Sequence, residues 1–354
     1  MTRRIIAAAL VCLIVAPALS HAQVASDIVP RRITLPSEHL AKEAYLTVPK
    51  GHWVAALSYE YEFLNHAFAG EKEGVNSERT VTLNSTLGFD LTYGASENIT
   101  LNAIIPYKYV YNTREIDSAL VAGTPGIFFS DRRGSQGLGD VILMSYLRIK
   151  FGDLIRFGDE YYPSGDDGYD EYIRRGPSTY AGRRQGASFA LAVGLRLPTG
   201  STTALDENGN RLPDELQLGT GTLDPILGLL YHQRHFRLGW GLSGLYRFSP
   251  SENIHHWAPG EEIVASAYVS YRLNRNLEWV NQLNGDYLGK SQSRGQIVEG
   301  TGGSVLFYTP SLVYVGAKNF TLQASGEIPV YRNFNDVQLS SSYVVNLRTA
   351  FIFD

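Results

Sequence analysis

Acyl transfer needs a nucleophile, a base and a third group that orients the base. His255 and His256 lie near Ser249 and Ser251, but no acid at a useful spacing joins them, so the pair reads as solvated. Gly241-Leu242-Ser243-Gly244 approaches a nucleophile elbow, yet its second glycine falls one residue too early. Asp206-Glu207-Asn208-Gly209-Asn210 carries calcium-type oxygens with its glycine where an EF-hand loop would not have it, and is expected as a flexible turn. His232 and His235 flank a predicted tight turn, and two histidines alone do not complete a metal site. Leu197-Pro198-Thr199-Gly200 lacks the spacer of a sortase signal and reads as a strand end followed by a turn. Cys12 is the only cysteine and sits in an amino-terminal apolar run, which leaves the rest of the chain without a thiol. No catalytic residue, metal ligand or cofactor is nominated.

The remaining chemistry is electrostatic. Acidic Glu60, Glu62, Asp90, Asp140, Glu278, Asp286 and Glu327, and basic Lys108, Arg148, Lys150, Arg196, Arg237, Arg247, Arg272 and Arg348, all fall on the polar parity of alternating segments. Opposite charges on one wall either line a wet path or lock into cross-strand ion pairs. Asp90, Asp140, Arg148, Arg196, Arg237, Arg247, Arg272, Glu278, Glu327 and Arg348 are the candidates for that wall. For Gly139, Asp140, Pro198 and Gly200, strand-end geometry is expected ahead of contact with a solute.

These side chains need elements that present one face to one environment, and period two dominates from Trp53 onward. Val81, Leu83, Leu87, Phe89, Leu91 and Tyr93 interleave with Thr82, Asn84, Thr86, Gly88, Asp90 and Thr92. The run is longer than the five or six residues usual in soluble sheets, and fits the roughly nine to eleven of a tilted membrane strand. Twelve strands are expected, near residues 52–63, 79–93, 98–111, 138–151, 187–198, 222–231, 236–248, 262–273, 277–287, 303–314, 320–331 and 339–353. The fold class is therefore all-β, an antiparallel transmembrane β-barrel with both termini periplasmic. Fourteen strands remain open if the polar stretch 152–186 hides a hairpin rather than forming a periplasmic excursion.

Connection lengths agree. Short turns at Gly94 to Glu97, His232 to His235, Asn274 to Asn276 and Val315 to Asn319 alternate with long connections near residues 64–78, 112–137, 199–221, 249–261 and 288–302. Aromatic residues of the oily parity mark two girdles. Trp53, Tyr93, Phe151, Phe189, Tyr231, Phe236, Tyr271, Phe320 and Phe353 lie toward the short turns, and Tyr59, Tyr61, Tyr109, Tyr111, Tyr246, Phe248 and Tyr287 toward the long loops.

Residues 1–22 read as a cleaved signal peptide, with Arg3 and Arg4 before an apolar run and Ser20-His21-Ala22 as the cleavage site. Residues 23–50 are a periplasmic leader or a lumen plug, and residues 51–354 the barrel. Without Arg3 and Arg4 the chain carries 29 basic and 35 acidic residues, a formal charge of −6, which argues against nucleic acid as a partner. The expected partners are the lipid bilayer, a small-molecule solute and the barrel-assembly machinery during biogenesis; the oligomeric state is left open.

Gly137-Leu138-Gly139-Asp140-Val141, Leu195-Arg196-Leu197-Pro198-Thr199-Gly200 and Leu218-Gly219-Thr220-Gly221-Thr222-Leu223-Asp224, in that order, resemble the family of outer-membrane transporters named for the meta-pathway of phenol degradation. Gly302-Gly303, Pro310-Ser311-Leu312, Ile328-Pro329-Val330-Tyr331 and Gln338-Leu339 resemble the family's last two hairpins. The likeness covers most of residues 137–353; the insertion at 152–186 and Asp354 after Phe353 depart from it. It implies a channel for small, often aromatic or hydrophobic, molecules in the outer membrane. The rival expectation is a closed structural or binding barrel.

Overall fold

The computed structural model describes residues 48, 50–74, 80–117, 128–149, 186–206, 209–235, 237–274, 276–316 and 320–353. The expected signal peptide, most of the leader, the stretch 152–185, Lys150, Phe151 and Phe236 lie outside the described residues.

Among the described residues sixteen strands follow one another: β1 (Trp53–Gly70), β2 (Lys72–Glu73), β3 (Val81–Gly94), β4 (Ile99–Asp117), β5 (Phe128–Leu138), β6 (Ile142–Ile149), β7 (Gly186–Arg196), β8 (Asp224–His235), β9 (Leu238–Arg247), β10 (Trp257–Ala258), β11 (Glu262–Arg272), β12 (Leu277–Leu288), β13 (Gln292–Ser293), β14 (Gln296–Ile297), β15 (Gly303–Val315) and β16 (Phe320–Phe353). Thirteen of them form one sheet, and β16 pairs with β1 to close it. Eleven strands make the ring, while β2 pairs only β1 and β5 pairs β4 off the ring path. Every ladder is antiparallel, from Trp53 opposite Phe353 at the closure to Arg196 opposite Asp224 between β7 and β8. Closure removes the unpaired edges that an open sheet would expose.

Alternation assigns each residue a side. In β11 buried and exposed positions alternate through ten residues, with Val264, Ser266, Tyr268 and Ser270 inward and Ile263, Val269 and Tyr271 outward. Leu87, Phe89, Leu143, Val193, Leu227, Leu242, Leu283 and Val345 are likewise exposed on the outside, where only a hydrocarbon environment suits so many large apolar side chains. Ring contacts run along the outer face, including Trp53 with Tyr93 at 4.5 Å, Phe320 with Phe351 at 5.0 Å and Tyr246 with Phe248 at 5.7 Å.

Four expectations need correction in detail. Residues 320–331 and 339–353, expected as two strands, belong to the single 34-residue β16, whose first part pairs β15 and whose last part pairs β1. The expected loops 64–78 and 112–137 are shorter, because β1 continues to Gly70, β4 to Asp117 and β5 starts at Phe128. At about 3.3 Å per residue these strands are longer than a bilayer crossing requires. His232 and His235 both lie in β8 rather than flanking its turn, and Arg237, expected on the inner wall, is exposed in the turn before β9. The strand begins one residue after Arg237, so its side chain never enters the alternating register.

Three of the long connections, among the described residues, pack against the barrel or one another. The β7–β8 connection folds back over the barrel, where Leu212 and Leu216 pack on Val110 of the inner wall and Ser135 Oγ donates to the Leu216 carbonyl at 2.5 Å. Asn253 Nδ2, from the β9–β11 connection, donates to the Thr220 carbonyl at 2.8 Å. Arg294 N, between β13 and β14, donates to the His256 carbonyl at 2.8 Å, and β10, β13 and β14 form a small second sheet there. Asp206 accepts from Asn210 N at 2.8 Å beside the Leu205–Arg211 bridge, so this acid is engaged within its own segment, while Glu207 and Asn208 of the expected turn lie outside the described residues.

Candidate functional site

Five charged residues on successive elements form a belt across the inner wall. Arg196 and Asp224 are direct cross-strand partners and hydrogen-bond through Nη2. Arg247 donates from Nε to Glu262 Oε2 at 2.8 Å, its direct partner on β11, and its Nη1 lies 3.4 Å from Asp224 Oδ2. Asp140, between β5 and β6, lies 3.9 Å from Arg196 Nε and extends the belt. Arg247 and Asp224 are fully buried. Such charges persist away from water only because each has an opposite partner held at close range. Ser249 Oγ is also drawn in, donating to Asp224 Oδ1 at 2.6 Å, so this serine serves the belt and not the neighbouring histidines.

Asp140 has a second task. Its carboxylate accepts from Gly200 N at 3.0 Å, Thr220 N at 2.7 Å and Thr220 Oγ1 at 2.8 Å. Thr199 Oγ1 completes the junction, donating to the Gly139 carbonyl at 3.1 Å and accepting from Val141 N at 2.8 Å. The three motifs around Gly139, Leu197 and Thr220 therefore meet at one carboxylate, and the expected strand-end role describes what Asp140 and Gly200 do here. Glycine is required where the two strand ends cross, since a Cβ on Gly219 would lie 2.3 Å from the Gly200 carbonyl oxygen.

The other candidates are separate. Asp90 pairs with Arg348 at 3.4 Å on the opposite wall. Glu327 accepts from Asn346 Nδ2 at 3.1 Å. Glu278 faces Arg272 across β11 and β12 near a short turn. Arg148 donates to the Glu97 carbonyl at 2.7 Å beside another. Glu62 accepts from Asn84 Nδ2 at 2.9 Å and from Ser341 Oγ. Glu62, with Glu262, Asp286, Phe307, Phe334 and Gln338, lines a small cavity of about 60 Å³, partly open to solvent.

Alternation did not reveal that one stretch of the inner wall is apolar. Ile142, Met144, Ala190, Ala192, Ile226, Leu230, Leu245 and Val264 form one buried cluster across β6, β7, β8, β9 and β11, with Ile104 and Tyr146 against it. The rest of the wall is mostly polar, with Thr82, Asn112, Asn284, Thr309, Ser325 and Asn346 buried among the charged Glu62, Asp90, Glu278 and Glu327. A uniformly polar lumen is thus corrected to a mixed one. The signal was present in Ile226-Leu227-Gly228-Leu229-Leu230, which is apolar at both parities, as a strand must be when both of its faces avoid water. Asp224 and Glu262 were also missed, since they sit on the first residue of their strands, where parity is hardest to assign.

The geometry agrees with the comparisons. The family described as "Putative MetA-pathway of phenol degradation" matches residues 72–334. An outer membrane channel from Pseudomonas putida F1 superposes with a TM-score of 0.60 at 13% identity, covering 87% of this chain and 98% of that one. The KdgM porin gives 0.41 at 8% identity over 84% and 99%, and a Pseudomonas aeruginosa FadL homologue 0.39 at 10% over 88% and 94%. No match was found among curated protein sequences. With its closed ring, lipid-compatible exterior and matched span, this outer-membrane β-barrel belongs to the family named for the MetA-pathway of phenol degradation.

Proposed function

We propose that the protein is a passive outer-membrane channel for small, apolar or aromatic molecules. The observation that carries this reading is the mixed inner wall. A channel for ions or sugars needs polar groups all round, whereas the cluster from Ile142 to Val264 makes one stretch of this wall apolar, as suits passage of a solute's apolar part. The uncharged polar groups elsewhere on the wall, Asn112, Asn284 and Thr309 among them, accommodate a hydroxyl or amide without the desolvation penalty of a charge.

On this reading the ring crosses the membrane twelve times. β5 and β6 together pair the length of β4 and count as one crossing, and the two arms of β16, which pair different neighbours, count as two. An even count returns both ends of the ring to the side of the short turns, the periplasm. Val48, 2% exposed, donates its N–H to Thr100 Oγ1 at 3.2 Å on the inner wall, which supports the leader as a partial plug.

The belt of ion pairs favours a second reading, a closed barrel whose inner charges only hold its shape. Reconstitution of the full chain into liposomes and planar bilayers separates the two. Flux of small aromatic solutes, rising when residues 23–50 are deleted, is the expected result. No flux from either form would replace the channel by the closed barrel.

A further inference from the structure

Among the buried polar atoms of the described residues that have no hydrogen-bond partner, two on uncharged side chains lie on neighbouring strands of the inner wall: Gln282 Oε1 on β12 and Ser311 Oγ on β15. Their side chains are 1% and 3% exposed. Turning the Gln282 amide over does not cure this. Its Nε2 donates to Asn284 Oδ1, and Asn284 in turn donates from Nδ2 to Thr309 Oγ1 at 3.0 Å and accepts from Ser266 Oγ at 2.8 Å. Reversing the Gln282 amide alone would set two carbonyl oxygens against each other, so with Asn284 in this orientation Oε1 is the spare acceptor.

The two atoms belong to one patch. Gln282 is the direct partner of Thr309, and Ser311 lies two residues further along the same face of β15, which makes the pair diagonal neighbours. Tyr268 faces Gln282, Val280 faces Ser311, and these two join Val313 and Val315 in a buried apolar cluster. Glu278 and Glu327 occupy diagonal positions beside Ser311, through the partners Val280 and Ser325.

We infer that Gln282 and Ser311 form a recognition site inside the barrel for the hydroxyl group of an uncharged amphiphile whose apolar body lies on Tyr268, Val280 and Val313. A hydroxyl donates once and accepts, which matches a spare carbonyl oxygen beside a serine O–H; an ammonium group donates only and leaves the serine hydrogen unused. A carboxylate has no proton for Gln282 Oε1 and meets Glu278 and Glu327 nearby. The site deepens the channel reading and rests on it for its purpose, but its occupancy is measurable without transport.

Calorimetry on the full-length protein in detergent micelles tests it with three probes of similar size: benzyl alcohol, toluene and benzoate. Wild-type protein binds benzyl alcohol more tightly than benzoate. Gln282→Leu, close in volume, weakens benzyl alcohol about tenfold and Ser311→Ala about threefold, the loss of one hydrogen bond each, while toluene binding is unchanged. Far-UV circular dichroism and heat-modifiable gel migration establish that each variant folds. If wild-type protein binds benzyl alcohol no better than benzoate, or if either folded variant keeps its affinity, the two atoms are water sites and the inference fails. Flux in liposomes is a separate readout: binding without flux overturns the channel, and flux without the hydroxyl preference overturns this site alone.

Discussion

The carboxylate of Asp140 accepts the backbone N–H of Thr220 at 2.7 Å across eighty residues of sequence. It thereby ties the start of β6 to the connection that folds back over the barrel. The Thr220 carbonyl passes the tie on to Asn253. One buried acid thus holds two of the long connections in place.

Replacing Asp140 with Ala leaves three donors without an acceptor and removes the partner 3.9 Å from Arg196. The expected loss is about 3 kcal/mol of stability, and Asp140→Asn, which keeps one acceptor oxygen, loses less. Denaturant unfolding in detergent measures both. Faster proteolysis within residues 199–221 is expected to accompany the loss; an unchanged cleavage rate would contradict the tie.

The belt predicts strong coupling. Arg247→Met leaves Glu262 buried without its partner and is expected to destabilise the barrel by about 3–5 kcal/mol, whereas Arg247→Met with Glu262→Leu recovers much of it. A double-mutant cycle reads the coupling. Because the pair is screened by protein and not by solvent, raising the salt concentration to 1 M should leave wild-type stability nearly unchanged.

At the crossing of strand ends, Gly219→Ala places a methyl group 2.3 Å from the Gly200 carbonyl oxygen, with an expected cost of about 2 kcal/mol. Gly244→Ala is the control, since nothing lies within 4 Å of its added Cβ. Thermal melts of the two variants should differ clearly, and equal melts would refute the close approach.

Polar substitution of the dry wall should change what passes and not whether the barrel forms. Leu230→Gln and Leu245→Gln place amides in the buried apolar cluster. Toluene flux into liposomes is expected to fall severalfold relative to glycerol flux, while heat-modifiable migration persists. A fixed flux ratio would remove the dry wall from the solute's path.

Much of this was legible before any coordinates. Period-two alternation placed Leu87, Phe89 and Tyr93 on one face and Thr86, Asp90 and Thr92 on the other, because successive side chains on a strand must point to opposite sides. Since a lipid-facing row tolerates few polar residues, the same pattern gave away the closed, single-layered sheet and the inward placement of Arg196, Arg247 and Asp90. Tertiary structure alone decided which inward residues meet. Arg196 faces Asp224, and Asp140 reaches Thr220, through strand register and returning loops, which join positions 28 and 80 residues apart. Local sequence carries no record of such register, because a strand of given parity can slide by two residues without changing which face it shows to the lipid. For the same reason the unpaired oxygen of Gln282 exists only in the folded ring, where the strand beside it determines which amide atoms are used and which is left over.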